Sequence, residues 1–238
     1  MHGALIARWS FDEPEGATAF ASVGTINGTL LGNATFVPSG GVSAGAVHSD
    51  PGSGVSMGDN FMFDGTGSFS LQAWIKVDEP GTEEPMVVIW KHQPGSYNGY
   101  FLNVNWMANY QQTNKANFYS SGNTIASDTI VNDGQWHQLV AVYAASVNTS
   151  IYVDGLLQSA HASAGGIGAN LAPFGVGGGF RGLIDEVRVY DNALSADEVQ
   201  ALYRNPGGAV PEPSTMAVWS LLGALGITVG WWRRRRAA

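Results

Sequence analysis

The chain has 238 residues, of which 45% are hydrophobic and 13% charged, with 32 glycines and no cysteine. Such a composition is globular and turn-rich rather than disordered, and the missing cysteines exclude a disulfide framework, a thiolate metal site and a lipid on an N-terminal cysteine. Four of the 11 basic residues are the terminal run Arg233–Arg236, leaving 7 against 19 acidic residues, a balance of −12 for residues 1–232 that argues against nucleic acid as a partner.

Residues 1 to about 205 break into short apolar runs separated by Gly, Asn, Asp and Pro, the spacing of a β-sandwich. Strands are expected at Leu5–Phe11, Ser68–Val77, Met86–Lys91, Tyr100–Asn105, Lys115–Tyr119, Trp136–Tyr143, Ser150–Val153, Leu156–Ser159, Phe174–Gly177 and Leu183–Tyr190. The clearest alternates Phe69, Leu71, Ala73, Ile75 and Val77 with Ser70, Gln72, Trp74 and Lys76, which puts Trp74 on the second face. Asp154-Gly155 is a type I′ hairpin signal. After the last strand, Ser195 and Glu198 spell a capping box for a short helix over about 196–203, whose Val199, Leu202 and Tyr203 should pack on the sandwich. The expected fold is all-β: two antiparallel sheets face to face and one short helix.

Residues 216–232 carry no charge, which is long enough to cross a hydrocarbon core as one transmembrane helix. Trp219 and the pair Trp231 and Trp232 suit the two interfaces, and Arg233, Arg234, Arg235 and Arg236 place the C-terminus in the cytoplasm. Just before stands Pro211-Glu212-Pro213, whose prolines force an extended backbone that a protease can grip. Pro-Glu-Pro, apolar helix and arginine cluster in this order resemble the PEP-CTERM sorting signal of Gram-negative bacteria. The resemblance implies an exosortase-type membrane protease as partner, removal of the tail, and a mature form at the cell surface or outside the cell. Met1–Arg8 has no basic n-region and no apolar h-region, so an exported protein of this kind is expected to start further upstream.

The runs Trp9–Glu13, Phe69–Ile75, Trp136-His137 and Leu183–Tyr190, with the closing stretch Gly182–Tyr203, resemble the laminin G-like jelly roll of the concanavalin A-like lectin and glucanase superfamily over residues 5 to 204. The chain is accordingly divided into a sandwich (1–205), a linker with the Pro-Glu-Pro motif (206–215), the membrane helix (216–232) and a basic tail (233–238).

The resemblance implies one structural calcium ion, held by the backbone near Glu13, a glycine of the Gly40–Gly45 loop, taken as Gly45, and Asp185. Against this, Asp185 could cap its own Asp-Glu turn or pair with an arginine such as Arg188. Ala21 stands where relatives often carry Asp, and Ser49 where an aromatic usually closes the strand.

Glycosidases of the superfamily carry Glu-x-Asp-x-x-Glu on one strand, a spacing absent here. The histidines share no metal-ligand spacing, and no nucleophile elbow occurs, so an enzyme is not expected. Tyr97, Tyr100, Trp106 and Tyr110, with nearby Asn and Gln, offer rings and amides for a carbohydrate, set against the reading that Tyr100 and Phe101 belong to the core. The expected function is an exported, non-catalytic, surface-associated binding module for carbohydrate or another extracellular polymer. A structural matrix component and a divergent glycosidase are the alternatives.

Overall fold

Strands with alternating apolar residues bury one face only when a second sheet covers it, and here two sheets cover each other. The computed structural model describes residues 4–93, 95, 96, 98–105, 113–120, 122–162 and 167–208. In chain order the strands are β1 (Leu5–Trp9), β2 (Thr18–Ala19), β3 (Gly28–Leu31), β4 (Thr35–Val37), β5 (Ala46–Ser49), β6 (Gly54–Ser56), β7 (Phe69–Val77) and β8 (Met86–His92). There follow β9 (Gly99–Val104), β10 (Lys115–Ser120), β11 (Asn123–Ile130), β12 (His137–Ala144), β13 (Asn148–Val153), β14 (Leu156–Ala162), β15 (Gly175–Val176), β16 (Gly182–Tyr190) and then the helix α1 (Ala196–Arg204).

The first sheet runs β14-β13-β12-β7-β16-β5-β4, with β1 also on β16; the second runs β11-β10-β9-β8-β15-β6-β3-β2. Between them lies an apolar core that includes Trp9, Phe69, Leu71, Ile75, Leu102, Phe118 and Phe174, all fully buried. The Phe63 and Phe69 rings stack at 4.3 Å, and Tyr143 adds a stacked ring at 5.3 Å from Phe69. At the β13–β14 hairpin both Asp154 (φ 52) and Gly155 (φ 77) are left-handed, as a type I′ turn requires.

Ser195 caps α1 through the Glu198 amide, and Glu198 bonds back to the Ser195 amide. Val199 and Leu202 are buried, and Tyr203 stacks on Trp74 with ring centres 5.6 Å apart. The helix thus covers part of the outer face of the first sheet.

The ten expected strands are all present with ends shifted by a few residues, while β2, β3, β4, β5, β6 and β11 were not expected. Glycines at Gly28 and Gly54 interrupt the apolar pattern of β3 and β6, and β11 reads Asn-Thr-Ile-Ala-Ser-Asp-Thr-Ile, mostly polar because it is an edge strand. Beside it lies β14, the edge of the other sheet, and Gln158 joins the two. Its Oε1 accepts from the amides of Asp128 (3.2 Å) and Thr129 (3.0 Å) and from the Thr129 hydroxyl (2.9 Å).

Strand β16 changes neighbours midway. Gly182–Ile184 pair with β5, Val187–Tyr190 pair with β1, and the ladder to β7 is broken between Asp185 and Arg188. Asp185 and Glu186 occupy that fork, Glu186 at φ 50 and both fully buried. No helix among the described residues is long and apolar enough to cross a membrane; the segment 216–232, the Pro-Glu-Pro motif and the terminal arginines lie outside those residues.

Candidate functional site

The fork in β16 faces the loop before β5. Asp185 Oδ2 accepts from the Ser43 amide (3.1 Å), and Oδ1 accepts from the Glu186 amide (2.6 Å). Burial pushes the Asp185 carboxyl up to about 7; the Ser43 amide pulls it down, while the Glu186 and Asp12 charges add to the rise. A Cβ on Gly41 would run into both the Gly45 carbonyl oxygen and Asp185 Oδ2 (2.6 Å), so glycine lets these two oxygens approach the same point of the loop. The Gly45 amide donates to Asp12 Oδ1 (2.8 Å). Phe11 (φ 50), Ala44 (φ 80) and Glu186 (φ 50) hold strained left-handed backbone around the same loop, a conformation that costs on the order of 1–3 kcal/mol per residue.

Of the three expected metal positions, Gly45 and Asp185 therefore come together, and the backbone just before Glu13 lies against Gly45, where a Cβ would run into the Phe11 carbonyl oxygen. Glu13 turns its Oε1 to the Phe20 amide (2.6 Å) and leaves Oε2 buried without a partner. The turn-capping alternative for Asp185 holds in part, through the Glu186 amide, but no arginine among the described residues forms an ion pair with it. Arg188 and Arg8 instead bond Glu186, at 2.8 and 2.6 Å, and also hold the carbonyls of Pro206 and Gly207 respectively. No cluster of three or more His, Cys, Asp or Glu able to hold a metal occurs among the described residues, so any ion here would depend on carbonyl oxygens.

A second arrangement occupies the outward face of the second sheet. Residues of β9 and β10 alternate, so that Tyr100, Leu102, Ala116 and Phe118 enter the core while Phe101, Asn103, Asn117 and Tyr119 point away from it. Pairing register sets Tyr119 beside Phe101, and Phe101 beside Trp90 on β8. The Phe101 and Tyr119 rings stack at 4.5 Å with planes 3° apart, and His92 meets both edge-on at 5.4 and 5.5 Å. Burial holds the His92 imidazole below its usual value, against a smaller opposing effect of the Ser96 backbone, so the ring is neutral at pH 7.

The neighbouring row pairs Asn117 with Asn103. Asn117 Nδ2 donates to the Lys115 carbonyl, but its Oδ1, and both polar atoms of Asn103, are buried without a partner. An unpaired buried polar group costs roughly 1–3 kcal/mol; both asparagines are fully buried, and the outward face of the first sheet carries the same feature at Gln72, Trp74 and Gln138.

Tyr100, expected as a ligand-binding ring, is corrected to a core residue: it packs 4.9 Å from Phe69, and its hydroxyl donates to the Phe61 carbonyl (2.7 Å). Tyr97, Trp106 and Tyr110 lie outside the described residues. Phe101, by contrast, faces outward. Trp90, His92, Asn103 and Asn117 were missed; alternation along β9 and β10 carried the signal for the asparagines, whereas Trp90 follows an irregularity at Val87–Ile89 that upsets the parity of β8.

Two eight-stranded antiparallel sheets packed face to face define a jelly-roll-like sandwich. The sequence signature of the concanavalin A-like lectin/glucanases superfamily matches residues 49–200, and the chain belongs to that superfamily. No curated protein matches the chain. Among solved structures, domain 4 of AbnA, a GH43 extracellular arabinanase from Geobacillus stearothermophilus, in complex with arabinotriose, is 20% identical with a TM-score of 0.66; the match covers 85% of this chain and 100% of that one. The ligand-binding domain of botulinum neurotoxin serotype D in complex with N-acetylneuraminic acid is 11% identical (TM-score 0.61), covering 84% of this chain and 50% of that one. Trypanosoma rangeli sialidase in complex with 2,3-difluorosialic acid is 16% identical (TM-score 0.61), covering 85% and 33%. These likenesses show the fold.

Proposed function

We propose that the domain is a non-catalytic carbohydrate-binding module that reads a glycan on the outward face of its second sheet. The observation that carries this reading is the row Tyr119, Phe101 and Trp90, with Trp90 half-buried, beside the buried amides of Asn103 and Asn117. Amides that hydrogen-bond hydroxyls, next to rings that take apolar C–H faces, are the usual chemistry of a sugar site. Two of the similar structures hold arabinotriose and N-acetylneuraminic acid, which supports a glycan as ligand.

Around this core reading, Asp185 and the Gly45 carbonyl would hold one structural calcium ion, which would supply positive charge to a buried carboxylate and fasten the loop before β5 to the fork in β16. The tail would serve export: Pro211, Glu212 and Pro213 for recognition by an exosortase-type protease, 216–232 for transient anchoring, and Arg233–Arg236 on the cytoplasmic side of a bacterial envelope.

The test is a glycan array probed with the full chain and with Asn103→Ala. Binding by the first, lost in the second at unchanged circular dichroism, supports the module; no binding to any polymer leaves a structural role in the matrix, and release of sugars would make it a hydrolase. A melting temperature raised by calcium and lowered again by a chelator, with neither response in Asp185→Asn, supports the ion. Mass analysis of the mature protein decides the tail, since a C-terminus at Ala238 removes the sorting reading.

A further inference from the structure

The cross-strand row does not stop at the stacked pair. Trp90 lies between Phe101 on β9 and Gly175 on β15, and the row continues through Ser56 to Thr29. At about 4.8 Å per strand, the span from Tyr119 to Thr29 is roughly 24 Å, enough for several sugar rings.

Beside Trp90 the face drops into a cleft of about 200 Å³ lined by Trp90, Leu31, Gly54, Val55, Val176 and Gly178. Glycine makes the cleft. A Cβ on Gly175 would come within 2.5 Å of the indole Nε1 and Cε2, and one on Gly178 within 2.8 Å of Nε1, so the ring lies down on backbone where any side chain would lift it. The far wall is Leu31, 48% exposed and three strands away on β3. The indole is half-buried, and its N–H has no protein acceptor among the described residues.

None of the lining residues is ionisable. The nearest lysine, Lys91, is turned inward and held by Asp59 (2.7 Å) and the Ala172 carbonyl (2.6 Å), while His92 is neutral. A carboxylated or sulfated sugar would find no counter-charge among the residues lining the cleft, on a body that is itself strongly acidic. The cleft is smaller than the few hundred Å³ of a pocket for a whole drug-sized ligand, which limits the occupant to about one ring.

We propose that the Trp90 cleft is a subsite for one ring of an uncharged polysaccharide, whose apolar face lies on the indole and whose hydroxyl accepts the indole N–H. This inference rests on the reading of the outward face as a glycan site and narrows it, from glycans in general to neutral chains bound along their length.

Affinity electrophoresis of the full chain tests it, in gels holding neutral polymers (arabinan, xylan, β-glucan, galactomannan) or acidic ones (polygalacturonate, alginate, polysialic acid). The expected result is retardation by at least one neutral polymer, unchanged between about 50 and 500 mM salt because no charge pair is involved. Trp90→Ala should weaken it by about tenfold or more, the usual effect of removing a central aromatic contact, while Trp90→Phe keeps most of it. Leu31→Glu, a change at an exposed residue at the end of β3, should also weaken binding by putting a charge into the cleft; it serves if Trp90→Ala melts early. Retardation by acidic polymers alone, or neutral binding indifferent to Trp90→Ala and Leu31→Glu, overturns the subsite and leaves the glycan reading standing. No retardation by any polymer overturns both.

Discussion

The outer faces of the two sheets start from similar material and end differently. On the first, β7 and β12 turn out Ser70, Gln72, Trp74 and Gln138; on the second, β8, β9 and β10 turn out Trp90, Phe101, Asn103, Asn117 and Tyr119. The first face acquires a cover from its own chain, because β16 leads into a well-capped helix whose Tyr203 stacks on Trp74. The second receives no helix among the described residues; its Phe101, Asn103, Asn117 and Tyr119 are nonetheless buried, while Trp90 stays half-buried with its indole resting on glycine. An outward aromatic therefore says little about function until its cover is known. Trp74 is covered by Tyr203 and Trp90 lies on Gly175 and Gly178, in each case because of residues more than 80 positions away.

Four substitutions sharpen or break this contrast. The largest effect is expected at Glu186→Gln, behind the first face, which strips the charge partner from a fully buried Arg188; breaking such a pair costs about 3–5 kcal/mol, read as a lower urea midpoint. Next is Leu202→Ala on α1, with a loss of about 2–5 kcal/mol for a buried leucine and glycan affinity unchanged; a fall in affinity would mean the covered face also binds. Ser195→Ala removes the cap of the same helix and should cost about 1 kcal/mol, again without touching binding. Asn103→Ala should do the reverse, losing binding while changing stability by no more than about 1 kcal/mol in either direction, because its amide makes no protein hydrogen bond. A large destabilisation there would make Asn103 a packing residue and erase the difference between the faces.

A smaller effect concerns pH. His137 is partly buried, which lowers its affinity for a proton, but hydrogen bonds and charges from Asp154 (2.8 Å) and Asp133 (3.1 Å) outweigh this and raise it above the usual histidine value. Protonated His137 thus favours the folded state: its contribution is complete below the ordinary histidine value and is lost as pH rises through the raised one. Thermal melts of the wild type should show a small decline across that window, and His137→Gln should flatten it.

Much of the sandwich was legible because a strand half in the core writes its period into the sequence, as Phe69–Val77 does, and because a turn such as Asp154-Gly155 has few alternatives. The edge strand β11 was not, since little of it is buried. Asp185 and Gly45 were reachable only through resemblance: nothing local reveals that β16 forks at Asp185 or that Gly41 lets the loop close against it. Trp90 was invisible for the same reason. Its site is made by Gly175 and Gly178, which only long-range register brings beneath it. The aromatic-rich segment around Tyr100 drew attention on composition, whereas alternation sends Tyr100 inward and Phe101 outward.

The bridge from Gln158 to Asp128 and Thr129 has a consequence for life in company. Edge strands are where β-proteins adhere to copies of themselves, each open ladder being an invitation to extend it. At this end of the sandwich the two edges face each other, and a single amide stitches them, its carbonyl oxygen occupying two of the amides that a foreign strand would need. A Gln158→Ala protein would keep its core but carry an open seam, and its cost would show in light scattering at high concentration before it showed in a melting curve.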